Sequence, residues 1–285
     1  MPVDNATLGG TEDGQEKIGR WPRSRLAWRT LDPEPLWLPL TILGAIFVAA
    51  SFLPPGHGWD LYAYWSVDPF DPSRAQSASP LGFGAFRYAP PIAWLMAPLG
   101  LLPWEAAVVL WLGLQLGALW LIAGRWALVL VIFPPVWLDL VYGNTYVMMA
   151  AAIAVGFRWP GAWAFILLTK VTPGVGLVWF AVRREWRALG IVALVAGAAL
   201  LLTWPQVPDW LDMLVDRSAM PLDDRGLDIP LWARLPAAAV LVAWGGLTDR
   251  RWTVPVGATL AMPVMWPIAL APLVALVRDA RVVRR

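Results

Sequence analysis

Asp60 stands in the stretch Gly56-His57-Gly58-Trp59-Asp60-Leu61-Tyr62-Ala63-Tyr64, just past the first long apolar run, and Phe86-Arg87-Tyr88-Ala89-Pro90-Pro91 follows after a polar interval. A carboxylate in that setting can act as a general base toward a hydroxyl within hydrogen-bond reach. His57, three residues earlier, is a rival base whose ordinary titration range suits the task. A solvated loop acid with no chemical role looks the same in sequence, because loop aspartates are common. Lys170 is the second residue of interest. It lies well inside an apolar segment, where a charge costs roughly 2.5–3.5 kcal/mol and calls for an anion, a carboxylate or a water-filled cavity. Its type and position fit either an ion pair with a buried acid such as Asp139 or a pocket for a phosphate or another anion. Arg217 and Arg225, in an aspartate-rich stretch, can contact a phosphate head group or pair with their neighbours. Arg125 and Arg158 lie at segment ends, where long cationic side chains snorkel.

The elements that must position these residues are membrane helices. Of 285 residues, 59% are hydrophobic and 15% charged, with a mean hydropathy of +0.58; a soluble domain has roughly 45–50% and 25%. Apolar stretches recur from Leu36 to Val277, each bounded by Pro, Arg or Asp, and only helices that satisfy their own backbone can carry them across a bilayer. A cleaved signal peptide does not explain so many. The chain has no cysteine and one histidine, which excludes a disulfide framework, a thiolate nucleophile and a multi-histidine metal centre. Nothing in it supports nucleic acid binding.

The order of segments predicts an all-α, polytopic transmembrane bundle of about nine or ten membrane segments. Residues 1–35 are a polar tail, cytoplasmic and partly disordered; 36–277 form the membrane domain; 278–285 are a basic tail. Residues 54–88 and 205–230 read as outside loops, the second carrying six aspartates. The basic cluster Arg183-Arg184-Glu185-Trp186-Arg187 and the later Asp249-Arg250-Arg251 read as cytoplasmic. A helix is expected over Trp104–Ala123, with Pro103 before its first turn and Glu105 near the positive end of the dipole. Trp126–Val141 and Val147–Phe157, parted by the turn signal Gly143-Asn144, are short for full crossings and fit tilted or re-entrant pieces. The last stretch, Val254–Val277, carries four prolines and folds back near Pro263 or runs on as one kinked helix. Most of the 21 tryptophans sit near segment ends, as an interfacial belt requires.

In these residues the chain resembles glycosyltransferase family 87, the polyprenol-phosphate-mannose-dependent mannosyltransferases of the GT-C superfamily. The resemblance covers roughly residues 36–277. It rests on Asp60 with Tyr62 and Tyr64 after the first helix, Tyr88-Ala89-Pro90-Pro91 leading into a short apolar helix, Pro98-Leu99 with Leu102-Pro103, and Trp111 downstream. Gly143-Asn144 stands where such proteins often have Gly-Gln, Lys170 with Pro173 matches a lysine-proline element, and Met262-Pro263-Val264-Met265-Trp266 is similar to a late Pro-x-x-Trp segment.

The resemblance implies a GT-C-like fold in a bacterial plasma membrane. It also implies transfer of a sugar, mannose, from a polyprenyl-phosphate donor to a hydroxyl of a glycolipid or glycan acceptor on the extracytoplasmic side. Asp60 would be the catalytic base, and inversion in one displacement is expected, with no metal obligatory and no cofactor. His57, Tyr62, Tyr64, Arg87, Tyr88, Asn144, Lys170, Arg217 and Arg225 are the residues expected to hold substrate or donor phosphate. Two other classes compete: a transporter or flippase, in which Lys170 and Asp139 would hold substrate or a coupling ion, and a non-catalytic membrane scaffold.

Overall fold

In the computed structural model the described residues are 58–72, 83–218 and 229–277. The tail 1–35, the first apolar run, His57, Arg225 and the basic tail 278–285 lie outside them. The described chain is all-helical, with no strand. Its α-helices are α1 (Trp59–Ser66), α2 (Pro90–Met96), α3 (Trp104–Ala123), α4 (Ala127–Leu130), α5 (Pro134–Tyr142), α6 (Tyr146–Gly156), α7 (Trp163–Thr169), α8 (Val178–Val182), α9 (Trp186–Leu202), α10 (Val207–Ser218), α11 (Leu231–Thr248) and α12 (Thr253–Leu260). Short 3-10 turns join many of them, the longest being Pro267–Ala275.

Proline and glycine decide where these helices begin and stop. Pro90 opens α2 and Pro134 opens α5, while Pro103 and Pro230 precede α3 and α11, positions where the missing N–H costs nothing. Gly124 and Gly143 follow the ends of α3 and α5. The predicted helix Trp104–Ala123 is found at those bounds. It continues through a 3-10 turn and α4 to Leu130, an apolar run of 27 residues with mean hydropathy 2.0 in its best window, or about 40 Å at 1.5 Å per residue. Only 33% of that window is buried, so much of its apolar surface faces outward, as a lipid-facing helix must.

By length and composition, two described helical stretches suffice to cross a membrane, Trp104–Leu130 and Leu231–Thr248. The number rises to four if each of two bent pairs is one span: α5 with α6, which meet at 114°, and α9 with the run from Trp204, which meet at 81°. The described residues thus hold bent and broken pieces beside the long apolar helices, as expected for the shorter segments. The pair α5–α6 is the piece whose shortness suggested a re-entrant path, and its sharp turn falls at Gly143-Asn144. Within residues 205–230, read as a loop, α10 occupies Val207–Ser218.

One end of the bundle is basic. Arg183 forms ion pairs with Glu185 and Asp249, both at 2.9 Å, and its Nη1 donates to the Gly246 carbonyl at 3.3 Å. Arg251 lies over the Phe157 ring. The turns after α6, α8 and α11 are therefore neighbours, which brings the two sequence clusters expected to share a face to the same end. Helix α6 runs from Asn144 toward that end for 11 residues, about 16 Å.

Near the C-terminus the chain breaks between α12 and Pro267, at the Pro263 region where a fold-back was one expectation. Arg234, buried on α11, donates to the carbonyls of Ile229 at 2.8 Å, Leu260 at 2.7 Å and Met262 at 2.9 Å. It thereby satisfies carbonyls that the end of α12 leaves without intrahelical donors.

Candidate active site

The site is assembled where α1 rests on the turn between α5 and α6. Gly58 caps α1 with φ +69°, and its N–H donates to the Val141 carbonyl at 2.9 Å. Gly143 ends α5 with φ +69°, and a Cβ there would stand 2.6 Å from Leu61 Cβ. Two glycines in the left-handed region thus let α1 lie flush against the turn. The neighbours of those glycines meet as a result: Asn144 Nδ2 donates to Asp60 Oδ2 at 2.7 Å, a short bond of the charge-assisted kind.

The other end of the same amide faces a cation. Asn144 Oδ1 accepts from the Thr145 N–H at 2.7 Å and from Lys170 Nζ at 3.4 Å. Helix α7 ends at Thr169 because the chain turns extended at Lys170 (φ −145°, ψ 110°) ahead of the Thr172-Pro173 turn, and the lysine therefore sits in a break between two short apolar helices. Its ammonium lies 4.0 Å from the Tyr146 ring centroid and 5.3 Å from that of Tyr88. The Ala89 N–H donates to the Leu168 carbonyl at 2.9 Å, which docks the Tyr88 segment beside α7, and the Tyr88 and Tyr64 hydroxyls share a hydrogen bond of 2.8 Å. Among the described residues no carboxylate lies within the 4.0 Å of an ion pair with Lys170. The alternative of a direct Lys170–Asp139 ion pair is not what the geometry contains. Ring faces and one amide oxygen offset only part of a desolvated charge, which leaves the ammonium suited to an incoming anion.

Asp139 has a different task. Its side chain accepts from the Tyr146 N–H at 3.1 Å and the Val147 N–H at 2.9 Å, the first free donors of α6, and so supplies the cap that Thr145 does not. Gln115 of α3, fully buried, donates through Nε2 to the Asp139 carbonyl at 3.0 Å, to Asp139 Oδ2 at 3.3 Å and to the Asn144 carbonyl at 2.8 Å. The 114° turn that presents Asn144 is thus pinned from three helices.

The Asp60 carboxyl sits above its ordinary value of 3.8, first because of desolvation, with the Lys170 charge and the Asn144 hydrogen bond opposing. The residue keeps partial exposure. The Asn144 bridge also bounds the gap between the charges: Asp60 and Lys170 lie beyond the 4.0 Å of an ion pair and within about 9 Å of each other, given two bonds of 2.7 and 3.4 Å and the covalent span of one amide.

Of the residues expected at the site, Asp60, Tyr64, Tyr88, Asn144 and Lys170 converge. Arg87 precedes Tyr88 and is half-buried. Tyr62 belongs to a neighbouring aromatic group, stacked on Phe83 at 4.3 Å and edge-on to Trp104. The position of Arg217 is in the last turn of α10, with its side chain outside the described residues, as are His57 and Arg225. Tyr146 and Gln115, which the sequence reading passed over, join the cluster.

No curated protein and no solved structure matches the chain. A family model does: that of glycosyltransferase family 87 matches residues 86–285. The matched stretch includes Tyr88, Asn144 and Lys170, and Asp60 lies before it, bonded to it through Asn144. With well over half of its length matched, this membrane-helical chain belongs to glycosyltransferase family 87.

Proposed function

We propose that the chain moves a sugar, mannose, from a polyprenyl-phosphate donor to an acceptor hydroxyl of a glycolipid or glycan at the outer face of the plasma membrane, with Asp60 as general base. The observation that carries this reading is the single amide of Asn144 joined to a carboxylate on one side and a cation on the other. Asp60 takes the acceptor proton as the acceptor oxygen attacks the anomeric carbon. The carbon–oxygen bond to the lipid phosphate breaks in the same displacement, and Lys170 stabilises the charge that collects on the leaving phosphate. Inversion follows from one in-line step.

The outer-face assignment is supported by the polarity of the bundle. The basic turns after α6, α8 and α11 gather at one end, α6 leads away from it to Asn144, and cytoplasmic ends carry the arginine excess.

Lys170→Met, which removes the charge and keeps the bulk, tests the donor half. Binding of radiolabelled polyprenyl-phosphate mannose should weaken by about 10- to 150-fold, the equivalent of about 1.5–3 kcal/mol for a charged hydrogen bond. Undiminished donor affinity in a well-folded Lys170→Met protein would remove the phosphate from this site.

A further inference from the structure

We propose that α10 is a membrane-interface helix, seated on the headgroup–acyl boundary of the bilayer through Trp204, Pro208 and Leu211. On this proposal α9 alone crosses, its 17 residues rising about 26 Å, and because the run that follows leaves it at 81°, α10 lies close to the membrane plane. The outward apolar surface of α9 does not end at the bend. Leu202 is 86% exposed, Trp204 58% and Leu211 47%, and Pro208 is exposed between them.

At 100° per residue, Pro208 and Leu211 share one flank of α10, while Val207, Trp210 and Leu214 form the adjacent row toward the core. Asp209 and Asp212, both exposed, occupy the flank away from that core row. A helix with an apolar strip continuous with the lipid-facing surface of a span, and with carboxylates bordering that strip on the side away from the core, has the two-faced pattern of the interfacial type. The acidic flank makes neutral headgroups the better partner, since anionic lipids would repel it.

The seat is mechanically joined to the site. Gln206 Nε2 donates to the carbonyls of Pro69 at 2.8 Å and Phe70 at 3.2 Å, just beyond α1. Val207 and Trp210 pack in the cluster that holds Leu61 and Tyr64 of α1. The height of α10 in the interface therefore sets the height of α1 and its Asp60. What that height means for Asp60 as a base rests on the function proposed above; the seating does not.

The chain has no cysteine, so nitroxides on Leu194→Cys, Leu211→Cys and Asp212→Cys, in full-length protein reconstituted in phosphatidylcholine vesicles, report depth directly. Accessibility to oxygen, which partitions into acyl chains, is compared with accessibility to a water-borne nickel chelate. The expected order of the oxygen-to-nickel ratio is Leu194 highest, Leu211 intermediate, Asp212 lowest. The proposal is overturned if Leu211 is as open to nickel as Asp212, which puts the strip in water. It is equally overturned if Leu211 is shielded from both reagents, which means a protein partner or a second copy, or if it lies as deep as Leu194. No transferase activity enters the measurement, so it stands apart from the outcome for Asp60.

Discussion

Asn144→Ala removes the side chain that, among the described residues, hydrogen-bonds to both charged groups of the site. In the native chain its amide donates to Asp60 at 2.7 Å and accepts from Lys170 at 3.4 Å. A hydrogen bond to a charged group contributes about 1.5–3 kcal/mol, so loss of the Asp60 bond alone should lower kcat/KM by about 10- to 150-fold. The pH dependence should move as well. The Asn144 bond is one of the two influences that hold the Asp60 carboxyl down against desolvation; without it the carboxyl rises further, and the acidic limb of kcat/KM moves to higher pH.

The sign for stability is the same in origin. A carboxyl raised above 3.8 in the fold binds its proton more tightly than in the unfolded chain, so its contribution is full at low pH and is lost as pH rises through the raised value. The assay is mannose transfer from a polyprenyl-phosphate donor in proteoliposomes, followed across pH for wild type and variant. An acidic limb that stays in place, or moves to lower pH, would refute the idea that Asn144 tunes Asp60.

Gly143→Ala should destabilise the protein by about 1–3 kcal/mol, the strain of a non-glycine residue at φ +69°. Because its Cβ meets Leu61, it should also depress transfer by displacing α1; melting in detergent and initial rates check the two effects. Single cysteines at Asp68 and Arg187, both exposed, should label from opposite sides of sealed vesicles with an impermeant maleimide, and labelling from one side would contradict the assigned polarity of the bundle.

The parts of the site that were legible from residues alone are those where a local signal contradicts its surroundings. Lys170 is a charge in an apolar run, Gly143-Asn144 is a turn signal between short apolar pieces, and Asp60 is an acid among aromatic rings beside a membrane segment. The family resemblance then placed Asn144, and the structure brings it to Asp60 across 84 residues of sequence.

Gln115 and Tyr146 escaped for a physical reason. A single glutamine in a 20-residue apolar helix does not declare which face it occupies, and its partners lie 24 and 29 residues away. Tyr146 reads as the start of an apolar run, and only its approach to Lys170 gives it a role. Arg234 was passed over because carbonyl acceptors leave no mark in the sequence. In residues 205–230 the aspartates hid the helix Val207–Ser218 behind the appearance of a loop. The number of crossings is not legible in the same way, because windows of hydropathy cannot tell a crossing from two short helices bent by 114°.

The most direct test is the rate of sugar transfer by Asp60→Asn in vesicles supplied with polyprenyl-phosphate mannose and a lipid acceptor extract, beside wild type and His57→Gln. Asparagine keeps the volume and can still meet the Asn144 side chain, so melting should change little. The rate should fall by roughly 10²–10⁴-fold, the loss expected for a general base, while His57→Gln stays close to wild type. Near wild-type turnover by Asp60→Asn would contradict the account at its centre, whether the activity then follows His57 or neither residue.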